Sequence, residues 1–400
     1  MSVRTLTATI LDKMSNIGKW QSEFLLHNFE LQCQMRGRHN FSGLSRYGRY
    51  HESTYRENYS RPFDFEAFNL NLIDLACERE RIVVFDPSHI SKSGKHTPGC
   101  GYFWSGCAGH TKWGLEIGGF AAVDIINNTA LHLIADQTIG FEEYGNLLNY
   151  YAALVCRRAE TIKKVSPYLA VDAFFSKKPF IDPVLETGLH VITRLRDDAD
   201  LLYPYVGPHP KRRGAQQKYA GKFDPRNLDE AYFSCCIEEK DFRLYEATLY
   251  SRALKRYIRV AVKHTYDEQG KIKSHKIYAS TDTTMSGIDI YCYYTARYQI
   301  EFLYRDAKQH TGLEHGQSRS QTKLHFHFNT ALTTVSLAKA SHHLNIPLES
   351  RPAFSMADIK TQYLNELMLE TFFEAFGIEP NEQIIIPIKR RLLKMGKIRA

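Results

Sequence analysis

Two short apolar runs, each interrupted by a single aspartate, constrain the fold of this chain more than any other feature. Arg81 to Asp86 reads RIVVFD, and Tyr168 to Phe175 reads YLAVDAFF. β-Branched and aromatic residues without polar alternation predict strands buried on both faces, and a carboxylate is costly inside one. Each acid is therefore expected where its strand leaves the sheet. Pro87 predicts a stop directly after Asp86 and puts it at the mouth of the sheet, where open α/β folds bind ligands. Two further strands are predicted at 115–126 and 130–138, joined by Asn127-Asn128 as a hairpin turn, then a helix over about 141–164. SKKPFIDPVLETG reads as a helix beyond Asp172, and LHVITRLR at 189–196 as the last strand of the main sheet. The segment SHISKSGKHTPGCGYF between these strands reads as a loop. Gly94 and Lys95 within it lack the other residues of a nucleotide-binding P-loop.

A second feature lies far downstream. YTARYQIEFLYRDAK, from Tyr294 to Lys308, carries Tyr294, Arg297, Glu301 and Lys308 at helical steps. On a continuous α-helix these four fall within an arc of about 60° spread over about 21 Å. Ala296, Ile300, Leu303 and Ala307 form a separate apolar stripe that gives the helix a face to bury. Ser286 with Asp289 reads as a capping box, and Gly312 as the C-terminal stop. One acid among two cations and a phenol suits a long anionic partner; the alternative is a solvated face laced with ion pairs. The spacing Tyr, two residues, Arg, three residues, Glu, six residues, Lys resembles the signature of the DDE transposases of bacterial insertion sequences, more narrowly the insertion-sequence-four group.

The resemblance implies that Glu301 is the third of three metal-binding acids, with two aspartates upstream. Asp86 and Asp172 stand in the right order, and strand, hairpin, helix, strand, helix is the order of the ribonuclease H-like fold, whose first and fourth strands are neighbours. Two Mg²⁺ ions, with Mn²⁺ as a substitute, need several carboxylates converging from different elements to activate water and stabilise a leaving 3′ oxygen. Asp86, Asp172 and Glu301 are the expected catalytic and metal residues. Asp124 and Asp136 stand in reserve for the aspartates, and Asp306 and Glu314 for the glutamate. By the same resemblance, Tyr294, Arg297 and Lys308 grip phosphates. The expected fold is α/β: a ribonuclease H-like mixed sheet flanked by helices over 80–345, with a β-rich insertion at 198–285 before the last catalytic helix. Helical additions are expected at 1–79 and 346–400.

A net charge of +8 fits a polyanionic partner, here double-stranded DNA at element ends and target, bound by a homodimer. The insertion holds KRRGAQQKYAGK at 211–222, whose Lys211, Arg212 and Arg213 are candidate DNA contacts. Its tyrosines 245, 250 and 257 could either stack on a base turned out of the duplex or pack the insertion's own core. Residues 36–61 interleave six arginines with Phe41, Tyr47, Tyr50, Tyr55 and Tyr59, which suits either a DNA surface or a connector packed on the main domain. Eight cysteines without a regular framework read as reduced thiols, and Cys100, Cys107 and His110 match no standard zinc spacing. His325 and His327 would point to different faces of a helix. No apolar run approaches the length of a membrane span, and a cytoplasmic protein is expected. Six cations after residue 388 suggest a phosphate-contacting or disordered tail. These features together predict a Mg-dependent transposase that cuts at insertion-sequence ends and joins the 3′ hydroxyl to target DNA. The alternatives are a stand-alone nuclease on the same fold or a catalytically silent DNA-binding relative.

Overall fold

The computed structural model describes residues 1–106, 108–208, 215–378, 383 and 385–398. Five helices come first: α1 (Val3–Leu11), α2 (Lys19–Gln34), α3 (Phe41–Tyr47), α4 (Glu52–Asn58) and α5 (Phe65–Ala76). Ser2, Asn40 and Asp64 start α1, α3 and α5 by accepting a hydrogen bond from an N–H of the first turn. Of the seven apolar residues of 5–32 whose patchy helical spacing marks them as core candidates, Leu6, Ile10, Phe24, Leu25 and Phe29 are buried, and Met14 and Ile17 are partly buried against the same core. The aromatic residues of 36–61 divide. Tyr55 and Tyr59 are fully buried and Phe41 packs on Tyr59, so those rings hold the helices together, while Tyr47 stays exposed.

The sheet begins with β1 (Arg81–Ser91), β2 (Gly101–Ser105), β3 (His110–Asp124) and β4 (Thr129–Gln137). After α6 (Leu147–Val165) come β5 (Tyr168–Ala170), α7 (Lys178–Glu186) and β6 (His190–Leu195). β1 pairs antiparallel with β3, and β3 with β4, whereas β1, β5 and β6 run parallel. The spatial order β4-β3-β1-β5-β6 is that of the ribonuclease H-like fold. Both faces are covered, so the strands read as unbroken apolar runs. Phe85, Phe120 and Val155 lie in the core under α6, while Val84, Ile117 and Ala121 lie in the core on the opposite face.

Two departures matter for the site. β1 does not stop at Pro87 but continues to Ser91, paired with β3 throughout. β5 pairs with β1 only at Val83 and Val84 and then diverges, leaving one edge of β1 open, where a residue without an N–H is tolerated. Part of the expected loop is also strand, since β2 pairs with the start of β3 to form an extended hairpin.

The expected insertion supplies β7 (Leu201–Pro204), β8 (Tyr219–Lys222), β9 (Ser234–Glu238), β10 (Phe242–Ser251), β11 (Arg256–Tyr266) and β12 (Ile272–Ser280). It is no separate layer: β12 pairs antiparallel with β6, and the sheet continues through β11 and β10 to β7 and β8. Four helices complete the fold: α8 (Gly287–Ala296), α9 (Gln299–His310), α10 (Gln321–Asn345) and α11 (Met356–Phe376). The basic tail then forms α12 (Ile385–Lys394), held to α11 by Asn365 donating to the Leu392 carbonyl at 3.0 Å. Among the described residues no helix is long and apolar enough to cross a membrane.

α10 is buried almost all round and joins the N-terminal helices to the sheet. Asn329 accepts from the Ala135 N–H at 2.9 Å, and Thr333 is bonded to Asn69 of α5. The His327 Nε2–H donates to the Gly312 carbonyl at 2.8 Å, while the His325 ring lies near Asn329, Asp136 and Arg158, so the two share no ligand.

Candidate active site

The stretch expected as one helix is two. Ser286 caps α8 by accepting from Asp289 N–H at 3.1 Å, and Gly312 at φ 69° ends α9, as the sequence predicts. Between them, Arg297 and Tyr298 donate to carbonyls three residues back rather than four. This tightened turn separates Tyr294 and Arg297 from Glu301 and Lys308. The polar line is broken, and its first half is buried while Glu301 stays exposed. Tyr294 and Arg297 are each about 5% exposed, and the Tyr294 ring packs 5.1 Å from Tyr278.

Arg297 is placed by that turn at the open edge of β1. Its guanidinium lies 3.6 Å from Asp86 and 3.2 Å from Glu301, and its buried Nε has no partner. Asp172 follows β5 directly, at the point where β5 leaves β1. Although Asp172 precedes a short 3-10 turn, its carboxylate caps no N–H and remains available to the site. Thr193 of β6 donates to the Asp172 carbonyl at 3.1 Å and fixes its backbone. Burial raises the Asp86 carboxyl to about 7, Arg297 opposes that shift, and Glu301 and Asp172 add to it. Asp86 and Glu301 thus contact one guanidinium, and Asp172 lies within electrostatic reach of it without touching it.

Lys308 reaches the same end of β1 from the last turn of α9. It donates to the His89 carbonyl at 2.7 Å and lies 3.7 Å from Glu314. The reserve acids divide: only Glu314 adjoins this region. Asp124 accepts from Glu78 and Asn127 N–H groups at the β3–β4 turn, Asp136 is bidentate to Arg158, and Asp306 pairs with Arg305. Lys211, Arg212 and Arg213 lie outside the described residues, as does Cys107. Within 198–285 Tyr245 bonds Tyr266, and Tyr250 packs tilted against Tyr219 and edge-on to Tyr257, while Tyr257 is 44% exposed.

Tyr304 is a residue the sequence reading missed. Its hydroxyl donates to the Asp86 carbonyl at 2.6 Å, which anchors α9 over β1. Gly119, paired with Asp86, makes room for it: a Cβ there would lie 2.1 Å from the hydroxyl. The Gly118-Gly119 pair inside an otherwise apolar strand was the available signal, because such glycines mark a close approach. Glu116 was missed as well. It is buried on the α6 side, accepts from Tyr151 and from Thr138, and burial raises its carboxyl to about 7.

Three carboxylates are oxygen donors of the kind that hold Mg²⁺ or Mn²⁺, and a desolvated Asp86 held against a guanidinium shows that this corner favours a cation. Among the described residues, no three His, Cys, Asp or Glu side chains already converge tightly enough to form a metal site. The guanidinium stands between the acids.

Sheet order and clustered acids define the ribonuclease H-like class. Residues 151–337 match the family model of the transposase DDE domain, and this match supports a DDE transposase. The match contains Asp172, Tyr294, Arg297, Glu301 and Lys308; Asp86 precedes it and is placed by topology. Among solved structures, the chain is similar to the piggyBac transposase synaptic complex with hairpin DNA, determined by cryo-electron microscopy. Identity is 12% over 98% of this chain and 81% of that chain, with a TM-score of 0.40, and at that level the likeness carries no argument about the site. No curated protein matches.

Proposed function

We propose that this protein is a cytoplasmic transposase of the insertion-sequence-four kind, which cuts double-stranded DNA at the ends of its element and transfers the 3′ hydroxyl to a target. The observation that supports this reading is that Asp86 and Glu301 share Arg297 at the open edge of β1, with Asp172 within electrostatic reach of the same guanidinium. In this reading the three carboxylates hold two divalent ions, Mg²⁺ or Mn²⁺, which when bound supply Lewis-acid chemistry at the scissile phosphate. Arg297 is the counter-charge of Asp86 and Glu301, and with ions holding those acids its guanidinium would be available to a phosphate. Lys308 is positioned at the rim for a neighbouring phosphate, and Tyr294 supports Arg297 from behind. The basic segment with Lys211, Arg212 and Arg213 contacts DNA further out, and two protomers pair two ends.

The test uses the purified chain, Mg²⁺ and a duplex carrying the inverted repeats that flank its gene. Cleavage with strand-transfer product is expected. Asp86→Asn, Asp172→Asn and Glu301→Gln should each abolish both while leaving duplex binding nearly intact. Cleavage without strand transfer would reassign the protein as a nuclease. Full duplex binding without cleavage under any divalent ion would leave only a DNA-binding relative, and wild-type cleavage by one variant would remove that acid from the site.

A further inference from the structure

The hairpin of β2 and β3 carries a surface that the catalytic reading does not use. Strand alternation turns Phe103 and Ser105 inward and Tyr102 and Trp104 outward, and the latter are 72% and 63% exposed. Trp113 pairs directly with Tyr102 across the hairpin, so its ring joins the same face, 5.4 Å from Tyr102 and edge-on to it. Three large aromatic rings on the solvent face of an edge strand are a poor choice for stability or solubility, since polar and charged residues usually guard such edges.

Charge selects the occupant. From Pro87 to Leu115 the chain has no acidic residue, while Lys92, Lys95 and Lys112 fall within that stretch. Lys95 and Lys112 are exposed, Lys112 on the same hairpin but, paired with Phe103, on the side away from the rings. Lys92 instead donates to the Gly316 and Ser318 carbonyls and pins the hairpin to the loop following α9. The same β1 segment accepts Lys308 at His89, and His89 lies 3.4 Å from the Trp113 carbonyl. A nucleic acid leaving the candidate active site past Lys308 therefore meets the hairpin next. Aromatic faces flanked by cations and lacking acids bind nucleotides by stacking bases and attracting phosphates. In a duplex the base faces are covered by their neighbours, so the bases such rings can take are unpaired ones.

We propose that Tyr102, Trp104 and Trp113 form a nucleobase-stacking platform for unpaired DNA bases that leave the candidate active site. The proposal rests on the DNA-processing reading above. The hairpin holds the strand beyond the cleaved bond and does not touch the reacting atoms.

The experiment compares binding of the full chain to a terminal duplex and to the same duplex bearing a short unpaired oligothymidine flank. Wild type should bind the flanked DNA more tightly. Trp104→Leu and Trp113→Leu should each reduce that advantage by about tenfold with unchanged affinity for the blunt duplex, whereas Trp104→Phe should retain most of it. Since either Leu variant could fold poorly, a second measurement uses Trp20→Phe, which leaves Trp104 and Trp113 as the two tryptophans. Oligothymidine should quench its fluorescence. An absent flank advantage in wild type, or one that survives both Leu substitutions, overturns the platform, as does unquenched fluorescence. A change of oligomeric mass in Trp104→Leu without loss of the flank advantage overturns it too, by making the face an interface between copies. Failure of wild type to bind even the blunt duplex would instead defeat the transposase reading.

Discussion

Replacing Arg297 with Met keeps the length of the side chain and removes its charge. The guanidinium lies 3.6 Å from Asp86 and is about 5% exposed, so at an effective dielectric near 20 the direct attraction is about 4–5 kcal/mol. Glu301, with half its side chain exposed, adds little. Breaking one partner of a buried pair can cost about 3–5 kcal/mol, but here the ease with which Asp86 takes a proton limits the loss. The attraction exists only with ionised Asp86. Burial raises that carboxyl to about 7, so the loss should be on the order of 1–1.5 kcal/mol at pH 8, grow as pH rises further, and fade to about 0.1 kcal/mol at pH 6, where Asp86 is protonated with or without the arginine. Urea denaturation followed by tryptophan fluorescence at the two pH values measures both numbers. Excess Mg²⁺ should then restore more stability to Arg297→Met than to wild type, because an ion bound only by the folded state replaces the missing charge. Equal losses at pH 6 and pH 8, or none at pH 8, would refute Arg297 as the counter-charge of the acids.

Glu116 tests the other face of the sheet. Its carboxyl is raised from 4.5 to about 7, so the stability it contributes is full below the unfolded value and is lost as pH climbs through 7. Glu116→Gln should therefore be more stable than wild type at pH 8, by on the order of 3 kcal/mol, with the difference closing towards pH 5 in thermal melts. Gly119→Ala should cost about 1–3 kcal/mol by driving a methyl group into the Tyr304 hydroxyl. Combined with Tyr304→Phe it should cost less than the sum of the two single changes in urea titrations, and additivity would show that the two do not press on each other.

The apolar runs around Asp86 and Asp172 were legible because a strand covered on both faces must be continuously hydrophobic, and period alone carries that information. For the same reason the antiparallel pair after β1, the strands of 198–285 and α11 were visible in advance, and the Ser286 cap and Gly312 stop followed from local hydrogen bonding and φ. None of these features needs to know its neighbours. What depended on neighbours stayed hidden. Pro87 reads as a terminator, yet β1 runs past it, because β5 diverges and leaves that edge without a partner. Tyr294 to Lys308 reads as one continuous helical line facing an anionic partner, yet a tight turn at Arg297 breaks it and two of its four polar residues are buried. The strands of 198–285 are legible one by one, but not that they extend the central sheet through β12, since strand pairing joins backbones whatever their separation in the chain. Residue types and their spacing thus determined the elements and the order of the acids. Only tertiary structure decided that a guanidinium would contact Asp86 and Glu301 with Asp172 within its electrostatic reach, because the free energy of a buried charge depends on what surrounds it in space.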